Sequence, residues 1–267
     1  MVAHTENDTV PQDRPQLELP AALEVDLVAP RLDHLLVLGW NRKAPAMLAE
    51  LERHVPQCHV CILSPLPEER RLRDTSADGV LLEHLRVEHR VGDYTDPGLL
   101  EQVEPRGFDR IVLLASESVS NREEADARAI AAYLLLAEYF ETHRCTPDIL
   151  VELTDPDDAS LLQRYPVQVL SSPRLVSHIL AQVVLRRELH LVLLDLLGGG
   201  GADLRLVPAH CYGLDGAFDY GSIDARIRAA GHTPLGLRPA ATGEVLLNPP
   251  RDRTFVLHDR DSIIVVA

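Results

Sequence analysis

Between Leu35 and Leu170 the chain alternates short apolar runs with helical stretches, and in most of these runs nearly every position is apolar. The runs are Leu35–Leu38, His59–Leu63, Val87–Val91, Ile111–Ala115, Ile149–Leu153 and Val167–Leu170. A strand buried on one face must alternate apolar and polar residues, whereas a strand buried on both faces need not. Helical patterns lie between the runs, at Ala44–His54, Pro67–Asp74, Gly98–Val103, Glu123–Thr142 and Asp157–Arg164. Such repetition builds a parallel sheet with helices on both faces, and right-handed crossovers make it doubly wound. The expected fold class is α/β, with a Rossmann-like lobe over residues 31–172.

The flanks differ from this lobe. Residues 1–30 are polar, acidic and proline-containing, the composition of a flexible leader, although Leu23, Val25 and Leu27 alternate as a short edge strand would. Residues 173–197 break the alternation with two helices. Leu175, Val176, Ile179, Leu180, Val183 and Val184 form one broad apolar stripe, interrupted at Arg186-Arg187-Glu188 and resumed to Leu197. A face this wide either docks on another subunit or lobe or packs beneath the chain's own sheet. Gly198–Gly201 is a hinge of four glycines. Residues 198–267 then read as a small α+β lobe, with strands at Leu204–Val207, Pro234–Leu237, Glu244–Leu247 and Ser262–Val266 and a helix at Ser222–Ala230.

Composition excludes several functions. A net charge of −15 over 267 residues lacks the basic footprint that nucleic acid requires. No apolar run reaches the ~18–20 residues of a membrane span, and no signal peptide is visible, so a cytoplasmic protein without direct membrane insertion is expected. Cys58 and Cys61 sit three apart in a strand and face opposite sides, which makes them buried thiols rather than a metal hook. Lys43 is the only lysine, and it lies between Arg42 and Ala44. A Walker phosphate loop and a Tyr-x-x-x-Lys reductase dyad are thereby absent, as is any Gly-x-Ser-x-Gly elbow.

Ligands of a doubly wound sheet bind at the carboxyl ends of its strands. The first segment there is Gly39-Trp40-Asn41-Arg42-Lys43-Ala44, where a dinucleotide binder carries Gly-x-Gly-x-x-Gly; only the first glycine is kept. The second is Ser64, at the place of the ribose-binding acid, with Arg70 and Arg71 nearby as partners for a 2′-phosphate or as solvated helix residues. The third holds Asp93 and Tyr94. The fourth holds Ser116, Glu117, Glu123, Glu124 and Asp126. The carboxylates suit a hard cation such as Ca2+, with Asp93, Glu117 and Asp126 as its ligands. Helix capping by Ser118 or Ser120, with acids favouring the helix dipole, accounts for most of the same residues. An NAD(P)-dependent oxidoreductase or redox sensor is the rival function. It lacks a proton relay, since Tyr94 has no lysine or histidine at useful spacing.

Several stretches resemble a known family. Leu38-Gly39-Trp40-Asn41-Arg42-Lys43, Glu88-His89-Arg90-Val91-Gly92, Asp126-Ala127-Arg128, Leu175-Val176-Ser177 and Leu247-Asn248-Pro249-Pro250 are similar to RCK (TrkA-like) regulators of K+ conductance. Most closely they resemble the second RCK domain of CASTOR/POLLUX-type ion channels. The resemblance implies a non-enzymatic cytosolic regulator that forms a homo-oligomer, a dimer or higher ring, attached to a membrane pore subunit. Its ligand would be Ca2+ or a nucleotide, NAD(H) or an adenine nucleotide. The chain departs from the family in showing one such unit and no pore segment.

Overall fold

The computed structural model describes residues 31–77, 79–116, 121–146, 148–197 and 203–267. The leader, Glu117, Ser118, Ser120 and the glycine hinge lie outside the described residues. The chain divides into two compact units, one spanning Val28–Leu194 and one containing Asp195–Ala267. Among the described residues no helix is long and apolar enough to cross a membrane.

The first unit runs β1 (His34–Leu38), α1 (Ala44–His54), β2 (Cys58–Ser64), α2 (Glu68–Ala77), β3 (Leu85–Val91), α3 (Pro97–Gln102), β4 (Arg110–Leu113), α4 (Arg122–His143), β5 (Asp148–Leu153), α5 (Ala159–Leu162), β6 (Gln168–Ser171) and α6 (Ser172–Leu185). The strands lie in the order β3-β2-β1-β4-β5-β6. Every pairing in this sheet is parallel, with Leu36 opposite Cys61 and Ile111. This is the doubly wound arrangement, and its order reverses between β1 and β4.

Period-two alternation divides each strand between two cores. Leu36, Leu38, Cys61, Leu63, Ile111 and Leu113 pack against Ala129, Ala132, Tyr133, Leu136 and Phe140 of α4. On the opposite face Leu35, Val37, Cys58, Val60, Ile62 and Val112 pack against Ala44 and Leu48 of α1. Cys58 and Cys61 thus fall in different cores, both as free thiols. Burial pushes each up to about 11.

Two expectations for this unit need correction, and one open alternative is decided. The cap of α4 is Asn121, whose side chain accepts from the Glu124 N–H at 2.9 Å. The helix expected over Asp157–Arg164 shrinks to α5 at Ala159–Leu162; Pro166 biases Tyr165 away from helical backbone. The apolar stripe of residues 173–197 does not pack beneath the sheet. It forms α6 and α7 (Leu189–Leu197), which contain no buried residue; Val184 is 83% and Leu185 76% exposed.

The second unit has β7 (Leu204–Pro208), β8 (Gly216–Asp219), α8 (Tyr220–Ala229), β9 (Thr233–Arg238), β10 (Leu246–Leu247), β11 (Thr254–Leu257) and β12 (Ser262–Val266). An antiparallel sheet β10-β9-β12-β7 and a separate ribbon β11-β8 enclose a core of Val207, Ile223, Ile227, Leu237, Phe255, Ile263 and Val265. The strand expected over Glu244–Leu247 is only two residues long. Gly243 takes a φ of +66° and closes a turn onto Pro239, so pairing begins only at Leu246.

Candidate functional site

The carboxyl ends of β1, β2, β3, β4 and β5 bring the selected residues to one rim of the sheet. At Gly39 the backbone has a φ of +94°, and a Cβ there would lie 2.6 Å from the carbonyl oxygen of Leu114. Glycine is therefore required by the close approach of two strand ends, independently of any ligand. Trp40 is buried, with its indole N–H donating to Asp74 at 3.2 Å and its ring edge-on to His89. Arg42 is exposed.

Asn41 is buried and turns inward. Its Nδ2 donates to the Ala115 carbonyl at 3.0 Å and to Glu152 Oε2 at 2.9 Å, while its Oδ1 accepts the Lys43 N–H at 3.0 Å. The Ala44 N–H donates to the Asn41 carbonyl, and Pro45 has no N–H to offer. Three of the positions that would cradle a pyrophosphate at the head of α1, Lys43, Ala44 and Pro45, thus have their donors engaged or missing. Ser64 is fully buried, and its Oγ accepts the Leu66 N–H at 3.2 Å, so it presents nothing to a ribose. Arg71, considered for a 2′-phosphate, is buried and donates to the carbonyls of Ile62 and Arg90 at 3.0 Å each. The residues present do not fit a preformed dinucleotide site.

The carboxylates are likewise occupied. Asp93 Oδ1 accepts from the Thr95 N–H, the Thr95 hydroxyl and, at 2.6 Å, Arg128. Burial works to raise the Asp93 carboxyl, but the Arg128 and Thr95 hydrogen bonds outweigh it and hold the group at about 2. Tyr94 is fully buried beneath the Arg128 guanidinium, 5.4 Å from its ring centre, and burial raises its phenol. Asp126 is fully buried, its two oxygens accepting from the Thr154 N–H, the Thr154 hydroxyl and the Asp155 N–H at 2.7–3.0 Å. Asp126 therefore ties α4 to the end of β5 and is not a cation ligand in this arrangement. Glu117, the third acid considered, lies outside the described residues. Among the described residues no group of three or more His, Cys, Asp or Glu side chains could hold a metal ion.

A cluster that the motif analysis did not single out stands at the same rim. Glu152 interrupts the apolar run of β5 and is buried, its side chain only 6% exposed. It pairs with Lys43 and Asn41 and accepts the Ser172 hydroxyl at 2.5 Å; Lys43 also donates to that hydroxyl at 3.3 Å. Two features marked it in the sequence: a lone charge within Ile149–Leu153, and a lone lysine.

No family model matches the chain. It is 26% identical to the probable ion channel CASTOR of Oryza sativa subsp. japonica over 287 aligned residues, covering 94% of this chain and 32% of that protein. Against the ion channel CASTOR of Lotus japonicus the identity is again 26%, with 94% and 33% covered. The probable ion channel POLLUX of Arabidopsis thaliana is 26% identical, with 88% and 28% covered. The chain thus spans about a third of the length of these curated relatives. Among solved structures, the human SLO3 gating ring superposes with a TM-score of 0.59 at 11% identity, covering 88% of this chain and 44% of that one. The chain is a distant homologue of the CASTOR and POLLUX ion channels and shares the fold of the SLO3 gating ring.

Proposed function

We propose that the chain is a non-enzymatic regulatory lobe of a CASTOR/POLLUX-like cation channel, working on the cytoplasmic side as a homo-oligomer attached to a membrane pore subunit. The observation that carries this reading is the uncovered apolar face of α6 and α7 on a chain that aligns with channel relatives over nearly its whole length. Leu175, Val176, Leu180, Val184, Leu191, Val192 and Leu194 are all more than half exposed. Covering such side chains releases roughly 25 cal/mol per Å² of apolar surface, and clustering of exposed apolar residues on two consecutive helices supports an interaction surface.

In this reading a ligand at the strand-end rim favours one of two oligomer arrangements. A near-complete switch requires about 5.5 kcal/mol of preference for one arrangement. Among the described rim acids Asp93 and Asp126 already have internal partners, so a ligand there competes with a partner such as Arg128 for Asp93. Ca2+, Na+, NAD(H) and adenine nucleotides are the classes to screen.

Light scattering after size exclusion, coupled to thermal-shift scans with these ligands, tests the proposal. The expected result is a dimer or larger species whose melting temperature rises with one ligand class. A chain that stays monomeric at all concentrations and is indifferent to every ligand overturns it.

A further inference from the structure

We infer that Glu152 is a built-in anion that joins the heads of two helices, latching the start of α6 to the β1–α1 loop through the chain's only lysine. The inference rests on reading α6 and α7 as the pairing surface, because it explains how that surface is held to the rim.

Helix heads carry partial positive charge and favour anions. Lys43 occupies the cap position of α1 without a capping hydrogen bond from its side chain, an unfavourable place for a cation. Ser171, at the cap of α6, likewise makes no side-chain capping bond. The Glu152 carboxylate answers both. One oxygen takes the Lys43 ammonium and the Ser172 hydroxyl, and the other takes the Asn41 amide, which also holds the Ala115 carbonyl. One side chain therefore binds the loop after β1 and the first residue of α6, and through Asn41 is linked to the segment after β4. Glu152 lies almost wholly out of solvent whereas the Lys43 side chain is 53% exposed, so the bond is stiff at one end and reachable at the other. A buried carboxylate whose one cation is removed carries an uncompensated charge, which makes the pair sensitive to either partner. Glu152 and Lys43 act here as positioning residues.

Hydrogen exchange on the full chain reads the latch directly, because local opening reports element by element. In Lys43→Met the amides of Leu175–His178, the first with helical i−4 acceptors, are expected to exchange roughly tenfold faster, the factor of one charge-assisted hydrogen bond. Glu152→Gln, which keeps its size and an acceptor for Asn41, is expected to move the same amides in the same direction by less. Amides of Leu36–Leu38 and Val60–Ile62 should not change.

The Lys43→Met/Glu152→Gln double variant separates tethering from burial of an unpaired charge. Its melting temperature is expected to return toward the parent value while α6 still exchanges fast. The proposal is overturned if α6 protection is unchanged in both single variants, if strand amides accelerate along with it, or if the double variant restores α6 protection. A monomeric parent by light scattering would overturn the pairing surface but not the latch, which the exchange data decide separately.

Discussion

The strand-end rim and the helices α6 and α7 contrast in what they leave exposed. At the rim the polar groups a ligand would need are bonded to the protein: Asn41 to Glu152 and Ala115, Asp93 to Arg128 and Thr95, Asp126 to Thr154 and Asp155. On α6 and α7 no residue is buried, and most of the large apolar side chains are more than half exposed. A nucleotide-using enzyme shows the reverse, with an open donor-lined cleft and covered helices. The difference teaches that this chain keeps the α/β scaffold while its unsatisfied surface has moved from the cleft to a helix pair.

Leucine truncations test the contrast most strongly. Leu136 in α4 is fully buried and Leu180 in α6 is 57% exposed. Leu136→Ala should cost about 2–5 kcal/mol in urea unfolding, whereas Leu180→Ala should change the stability of the isolated subunit by less than about 0.5 kcal/mol. Equal losses would break the comparison. Leu180→Asp should instead weaken self-association by about 100-fold, or ~2.7 kcal/mol, in sedimentation equilibrium with the fold intact. At the rim, Gly39→Ala places a Cβ against the Leu114 carbonyl at a positive φ. A loss of about 1–3 kcal/mol in melting experiments is expected even without ligand.

Asp93 gives the smallest effect. Its folded carboxyl, at about 2, lies below its ordinary value of 3.8. Its contribution is therefore fully present above pH ~3.8 and is lost as pH falls through about 2. The side chain is 45% exposed, so solvent screening limits the contribution to less than about 1 kcal/mol. Asp93→Asn should flatten the acid limb of the stability profile slightly and leave neutral stability nearly unchanged. A large loss at pH 7 would mean that the rim is tuned more tightly than the contrast implies.

The first unit was legible because its signal is repetitive. Apolar runs such as Leu35–Leu38 and Ile149–Leu153 need cover on both faces, and that requirement admits few topologies. The break at Arg186-Arg187-Glu188 was equally plain, since it interrupts a continuous stripe. The ribbon of β8 and β11 leaves little local signal, because Gly216–Asp219 and Thr254–Leu257 are four residues each and gain their stability from pairing between distant parts of the chain, Phe218 against Phe255 and Asp219 against Thr254. At the rim, position in the sequence located Asn41, Ser64 and Asp126 but not their orientation. Residue type marks Ser64 as a ribose partner and Asp126 as a cation ligand; only the fold shows that both side chains point inward. Glu152 was hidden for a related reason, because its partners come from β1's loop and the head of α6.

The junction between β6 and α6 has a mechanical consequence. The strand ends at Ser171 and the helix begins at Ser172, with no slack between them. The 14 residues of α6 make an arm about 21 Å long. Fixed at one end to the sheet's last strand, that arm amplifies: a tilt of about 10° at the joint carries its far end roughly 4 Å sideways. Any tilt at that joint would therefore be felt least at Ser172 and most at Leu185, the far end of the arm.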